Sequence, residues 1–349
     1  PPRRGPRGIA GLVRGVAKKV GFGGGAAAAR CRAMELLKDT SMEVAWRVWQ
    51  ARPPRWSLTV VVKGTYRLVE EGVCALAASQ AFPTGDTHHD DDVERSLRYA
   101  SDLEPLKPRG ECLVLGSVHA PGGQPVDRTK CAFAIGPVEK QLAVFGDRAW
   151  RRGGPSPPAP FTSLPLCWER AFGGPGFAAN PVGRGLAVED GTRWMPNFED
   201  PLALLDARSG RPSPAGFGPI ARTWAARQRF AGTYDARWLR ERYPWFPADL
   251  DWRFFNAAPA DQQIEGYWRG DEAIVLRHLH PVHPLVRCQL PGTQARAYLV
   301  ADAEQPAPRD VGVTLDTLWV DADEGLAYAL WRGVVEVERE DLSDLAHLF

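Results

Sequence analysis

Helical periodicity is nearly absent from this 349-residue chain, and that absence constrains the fold more than any single motif does. Apolar residues come instead in short runs rich in β-branched and aromatic side chains, punctuated by Gly and Pro. Residues 56–69 (WSLTVVVKGTYRLV) read as a strand pair or as one long strand kinked at Gly64. Similar runs lie at 111–120, 129–135, 138–146 and 161–172, and again at 273–280, 285–290 and 295–301. Residues 313–320 and 326–337 flank Asp321-Ala-Asp-Glu-Gly325, a hairpin turn with Gly at its end. Helical spacing appears only near 30–49 and 236–243, and residues 341–349 fit one short helix. The pattern predicts a mainly β fold: a sandwich or barrel-like set of antiparallel sheets, with long structured loops and a few short helices.

Charge divides the chain. Residues 1–34 carry eight Arg or Lys and no acid, although the whole chain has a net charge of only +1. Residues 1–41 therefore read as a basic arm rich in Gly, Ala and Arg, disordered and then briefly helical, and 42–349 as a single β-rich domain. Arg14, Lys18 and Lys19 interrupt any signal-peptide core. Gly21-x-Gly23-x-x-Ala26 lacks the strand that a dinucleotide site needs before it. No apolar run is long enough to cross a membrane as a helix, and the acidic balance after the arm argues against a nucleic-acid binder. The six cysteines are scattered without a CxxC pair, as in a reduced cytoplasmic protein.

Residues 214–264 hold eleven aromatics among 51 residues, in a chain with 13 Trp, 7 Tyr and 14 Phe. The segment has neither a helical nor a strand period. Its rings fit two roles: anchors that fix an irregular loop to the core, or a recognition surface.

Residues suited to chemistry are few. Asp249 and Asp251 have the spacing of a carboxylate pair, which does acid–base work when burial splits the two pKa values. His278 and His280 would project to one face of a strand and share a metal, with His283 close by. His88, His89 and Asp90–Asp92 lack the spacing of a calcium loop. Cys167 has no base in its local sequence. Gly173-Gly-Pro-Gly176 lacks the Lys-Ser/Thr of a phosphate loop. No cofactor or metal is expected, and no catalytic signature emerges.

Nine segments in order carry a resemblance: VVVKGTYRL (60–68), SDLEPLKPRGECLVLGSVHAPGG (101–123), FGDRAW (145–150), PFTSLPLCWERAFGG (160–174), NPVGRG (180–185), PNFEDP (196–201), PAGFGPIARTW (214–224), GTYDARW (232–238) and FPADLDWRFFNAAPADQQI (246–264). Over roughly residues 42–300 the chain resembles the bacterial family known as domain of unknown function 2169. The resemblance implies a non-enzymatic adaptor or chaperone of type VI secretion, which loads an effector onto a spike of VgrG-type protein and PAAR-type tip. Trp245, Phe246, Asp249, Trp252, Phe254, Phe255, Asn256, Asp261 and Gln262 match the family's densest motif, and Arg170, Asn180 and Arg184 match a second. These residues are candidates for partner binding, with loop architecture as their other role: Asn256 and Gln262 satisfying buried backbone groups, and Gly173 and Gly174 permitting tight turns. A hydrolase using Asp249 and Asp251, a metal enzyme using His278 and His280, and a structural spike component are the alternatives.

Overall fold

The computed structural model describes residues 9–17, 32–300 and 308–337. Two open sheets dominate. In the larger, the main strand order is Gln263–Ile264, Gly110–Leu115, Thr314–Asp321, Leu326–Val337, Arg55–Arg67 and Glu43–Arg52. The smaller runs Phe198–Glu199, Val138–Phe145, Arg128–Ile135, Ala273–Arg277, Leu285–Gln289 and Glu71–Val73. The molecule is mainly β, as expected, and the sheets stack as a sandwich; neither closes into a barrel. The expected antiparallel pairing is broken in each sheet. Gly110–Leu115 runs parallel to Thr314–Asp321, and Leu285–Gln289 parallel to Glu71–Val73. Parallel neighbours need long crossovers, and the intervening loops supply them.

Side-chain alternation explains the layering. Cys112, Val114, Leu318, Val320, Ala329 and Trp331 point to the shared core, where they meet Cys131, Phe133, Ile135, Leu142, Ile274, Leu276 and Val286 of the smaller sheet. The residues between them, Leu113, Leu115, Trp319, Leu330 and Val61, point the other way. They pack under Leu97, Tyr99, Ala100, Ala257 and Ala258 from the long loops. The larger sheet is thus covered on both faces, which explains why Gly110–Leu115 is buried at every position. A third core joins Leu58, Val60, Val335 and Val337 to Ala297, Leu299 and Val311. Those last residues belong to or flank a four-stranded sheet built from Arg32–Leu37, Ile9–Ala17, Ala295–Val300 and Arg309–Asp310.

Three local expectations change. The helical spacing at 30–49 folds as the strands Arg32–Leu37 and Glu43–Arg52; within the second, Val44, Trp46 and Val48 alternate onto the third core. Part of the arm expected to be disordered, Ile9–Ala17, is a strand paired parallel to Ala295–Val300. Arg55–Arg67 runs as one strand through Gly64, where a Cβ would press on Met42 and Tyr66. The hairpin Thr314–Asp321 to Leu326–Val337 forms as read, with Gly325 at φ +64°. The helix expected at 236–243 is Ala236–Glu241, capped by the Asp235 carboxylate, which accepts from the Trp238 N–H at 2.7 Å. The glycine fingerprint at 21–26 and the helix expected at 341–349 lie outside the described residues.

Candidate functional site

The densest aromatic motif settles on the edge strand Glu43–Arg52. Trp49 is the docking post. Its ring lies 5.6 Å from Trp252 and 6.4 Å from Phe246, and its Nε1 donates to Thr59 Oγ1 at 2.8 Å. Phe246 packs edge-on against Trp252 and Phe255 at 6.0 and 5.8 Å, and Phe254 lies 5.4 Å from Phe255. Trp245 Nε1 donates to Gln50 Oε1 at 2.9 Å, and Trp238 Nε1 donates to the Trp245 carbonyl at 2.8 Å. Trp245, Phe246, Trp252 and Phe254 are half-buried and Phe255 is buried, so these rings act first as anchors.

Beyond the anchors the chain between Gln228 and Trp252 stands outward as a lobe around the helix Ala236–Glu241. Tyr234, Leu239 and Tyr243 are 53%, 60% and 61% exposed there. Tyr234 and Tyr243 lie 4.7 and 5.6 Å from the Trp238 ring. Sequence reasoning named the anchors and passed over these three residues. The signal was present: in GTYDARWLRERYPW the aromatics fall on no face that the short helix could bury.

The polar members of the motif clamp the layers. Asn256 Nδ2 donates to the Arg109 carbonyl at 3.0 Å and to Glu111 Oε2 at 3.1 Å. Gln262 Nε2 donates to the carbonyls of Cys112 and Phe217, each at 2.9 Å. Lys140 Nζ reaches Asp261 Oδ1 at 2.9 Å and Gln262 Oε1 at 3.0 Å. Asn256 and Gln262 are buried, and these bonds satisfy backbone carbonyls, one of the two roles expected of them.

Beneath this motif lies a row of buried ion pairs that the sequence reading missed. Lys63 and Asp102 pair at 2.8 Å with side chains 2% and 1% exposed, and the Lys63 ammonium sits 4.8 Å from the Tyr99 ring. Lys107 and Glu111 pair at 2.6 Å, and Arg332 and Asp316 at 2.6 Å. Arg227 is also buried, donating to the Ile220 and Phe254 carbonyls. Lys63 within VVVKGTY and Arg332 within LWRGVV were the available signals, since a charge inside an apolar strand run requires a buried partner.

The second motif forms a separate constellation. Arg184 Nη1 donates to Asp147 Oδ1 at 2.9 Å and to Asn197 Oδ1 at 3.0 Å; Arg170 Nη1 donates to Asn197 Oδ1 at 3.1 Å. Burial pushes the Asp147 carboxyl up, but Asn197, Arg184 and Arg170 together hold it below the usual aspartate value. Asn180 is fully buried and donates to the carbonyls of Trp168 and Phe172, so it is architectural.

The chemistry-bearing candidates do not assemble. Asp249 is exposed and accepts from the Thr233 N–H and hydroxyl at 3.0 and 2.7 Å, which lowers its pKa. Asp251 caps the turn Trp252–Phe255, and its pKa is lowered by the hydrogen bond from Arg253. Neither carboxyl is raised, so the pair lacks the split that acid–base work requires. Burial pushes the Cys167 thiol up to about 11, the opposite of an activated nucleophile. His278 and His280 do not share a strand face: the strand ends at Arg277 and His278 sits at φ +56°. Among the described residues no group of three or more His, Cys, Asp or Glu is arranged to hold a metal, and no helix is long and apolar enough to cross a membrane.

The fold and site define a β-sandwich scaffold that clamps a long aromatic loop and presents its tip. The chain belongs to the bacterial family described as uncharacterized protein conserved in bacteria, DUF2169, whose model matches residues 55–332. No curated protein and no solved structure matches it.

Proposed function

We propose that the chain is a non-enzymatic adaptor of type VI secretion: it holds an effector polypeptide in the cytoplasm and helps load it onto the VgrG/PAAR spike. The observation that carries this reading is the lobe around Ala236–Glu241, where Tyr234, Leu239 and Tyr243 stand exposed on a base fixed by Trp49, Trp245 and Trp252. Rigidly mounted aromatic side chains suit protein recognition, because they bury much area with little ordering cost. The contact moves outward from the residues first expected: the anchors hold the lobe, and its tip meets the effector. The chain's membership of DUF2169 places it in the family for which the resemblance implied that role; the family description itself names no function.

The test is co-purification with the effector and spike proteins encoded beside it, followed by size exclusion with mass determination. The triple variant Tyr234→Ala, Leu239→Ala, Tyr243→Ala is expected to keep the parent's circular dichroism and unfolding midpoint while losing the complex. A folded triple variant that still binds removes the lobe from the interface, and a parent chain that binds neither protein overturns the adaptor reading.

A further inference from the structure

At one end of the sandwich is a pocket of about 560 Å³ whose lining includes His119, Thr162, Ser163, His278 and His280. Three of the chain's seven histidines line it, and the His283 ring lies 4.9 Å from that of His280. An imidazole that binds a metal keeps one ring nitrogen free and gives the other N–H to a carboxylate or carbonyl that orients it.

His119 Nε2 lies 2.9 Å from Asp323 Oδ1, and the other Asp323 oxygen accepts from Ser117 Oγ at 2.8 Å. A carboxylate only accepts, so the proton is on Nε2 and the lone pair is on Nδ1. His278 Nδ1 lies 2.8 Å from the Lys130 carbonyl, which places its proton on Nδ1 and its lone pair on Nε2. Neither free nitrogen has a hydrogen-bond partner among the described residues. The His119 N–H donates to the His278 carbonyl at 2.9 Å, so the two residues are held side by side. His278 has φ +56°, a left-handed backbone that is unfavourable for a non-glycine residue and is often found at functional positions. His280 differs: its Nδ1 accepts the N–H groups of Val282 and His283 at 3.2 and 3.1 Å, so its proton is on Nε2 and it acts as a donor.

We propose that His119 Nδ1 and His278 Nε2 form a two-imidazole site for a divalent transition cation of the zinc, nickel or copper class. Imidazole nitrogen suits these ions, and the two residues supply two of the four or more ligands such ions take. The remaining positions are open to water or to a ligand from a bound partner. His280, Thr162 and Ser163 line the same pocket and supply polar groups for that outer ligand. The site pairs His278 with His119, from a distant part of the chain, and not with His280. It stands whether or not the adaptor reading does.

The experiment titrates Zn²⁺ and Ni²⁺ separately into the full chain, stripped beforehand with a chelator, and follows binding by calorimetry. One saturable site per chain is expected. His119→Ala and His278→Ala should each weaken it at least tenfold, and His280→Ala should leave affinity within about twofold. Asp323→Asn retains both ligands and should weaken it about tenfold by loosening the His119 ring. Thermal unfolding of each variant shows whether it is folded; if the alanine variants are not, Asp323→Asn decides. No saturable binding overturns the proposal. So does binding indifferent to His119 and His278, or binding lost only in His280→Ala.

Discussion

Glu111 shows how much one side chain can organise. Oε1 accepts from Lys107 Nζ at 2.6 Å, while Oε2 accepts from Asn256 Nδ2 and from the N–H groups of Ala257 and Ala258 at 2.7 and 3.0 Å. Burial pushes this carboxyl up, yet Lys107 and these donors more than offset it, so its pKa lies below the usual glutamate value. A carboxyl depressed in the fold adds stability that is present above its unfolded pKa of about 4.3 and lost as pH falls through the lower folded value. Glu111→Gln leaves Lys107 buried without its counter-ion and is expected to cost about 3–5 kcal/mol at neutral pH, read by urea unfolding. The gap between parent and variant should narrow as pH drops below about 4. A constant gap would assign the loss to packing alone. The roles of Asn256 and Gln262 were legible because amides within an apolar motif need backbone partners. Glu111 was not: Lys107 is four residues away, but Asn256, Ala257 and Ala258 lie about 145 residues on, and GECLVL reads the same with the acid in water or in a clamp.

At the scale of elements, short strands with β-branched runs were legible because alternation is a local property. The helical reading of 30–49 failed because Val44, Trp46 and Val48 alternate over too few residues to outweigh the upstream spacing. Close approach was legible only as glycine content. Gly173 does not need left-handed backbone, in contrast to Gly174 at φ +144°. It needs space: a Cβ there would collide with the carbonyl and side chain of Asn180, where Phe172–Gly173 runs parallel to Arg184–Gly185. Gly173→Ala should therefore cost about 1–3 kcal/mol, the usual penalty of overpacking, while Gly153→Ala, whose Cβ meets nothing, should be nearly neutral. Thermal unfolding of the two variants side by side checks this. Equal midpoints would mean that the Asn180 loop moves aside freely.

At the scale of the molecule, sequence indicated two layers and the structure has a third. The outer face of the larger sheet is covered by loops that hold ion pairs and aromatic anchors, and loops without a period leave no trace of which face they cover. The consequence is a difference in cooperativity. The strands Arg55–Arg67 and Leu326–Val337 are joined by a twelve-residue ladder and buried between layers, whereas the lobe around Ala236–Glu241 is held mainly by Trp49, Trp245 and Trp252. Segments with few buried contacts open at lower free energy than the core. Trp252→Ala removes a half-buried ring from that base, and its cost should fall near 2–3 kcal/mol, below the about 3–5 typical of fully buried aromatics. Hydrogen exchange should show where the loss acts. Amides between 228 and 254 should exchange faster, while those of Arg55–Arg67 and Leu326–Val337 keep the parent's protection. Uniform acceleration across both regions would mean that the lobe and sandwich unfold as one unit. In that case the proposed partner contacts at Tyr234, Leu239 and Tyr243 would stabilise the whole sandwich, and binding of the proposed effector would raise its unfolding midpoint rather than only quieting the lobe.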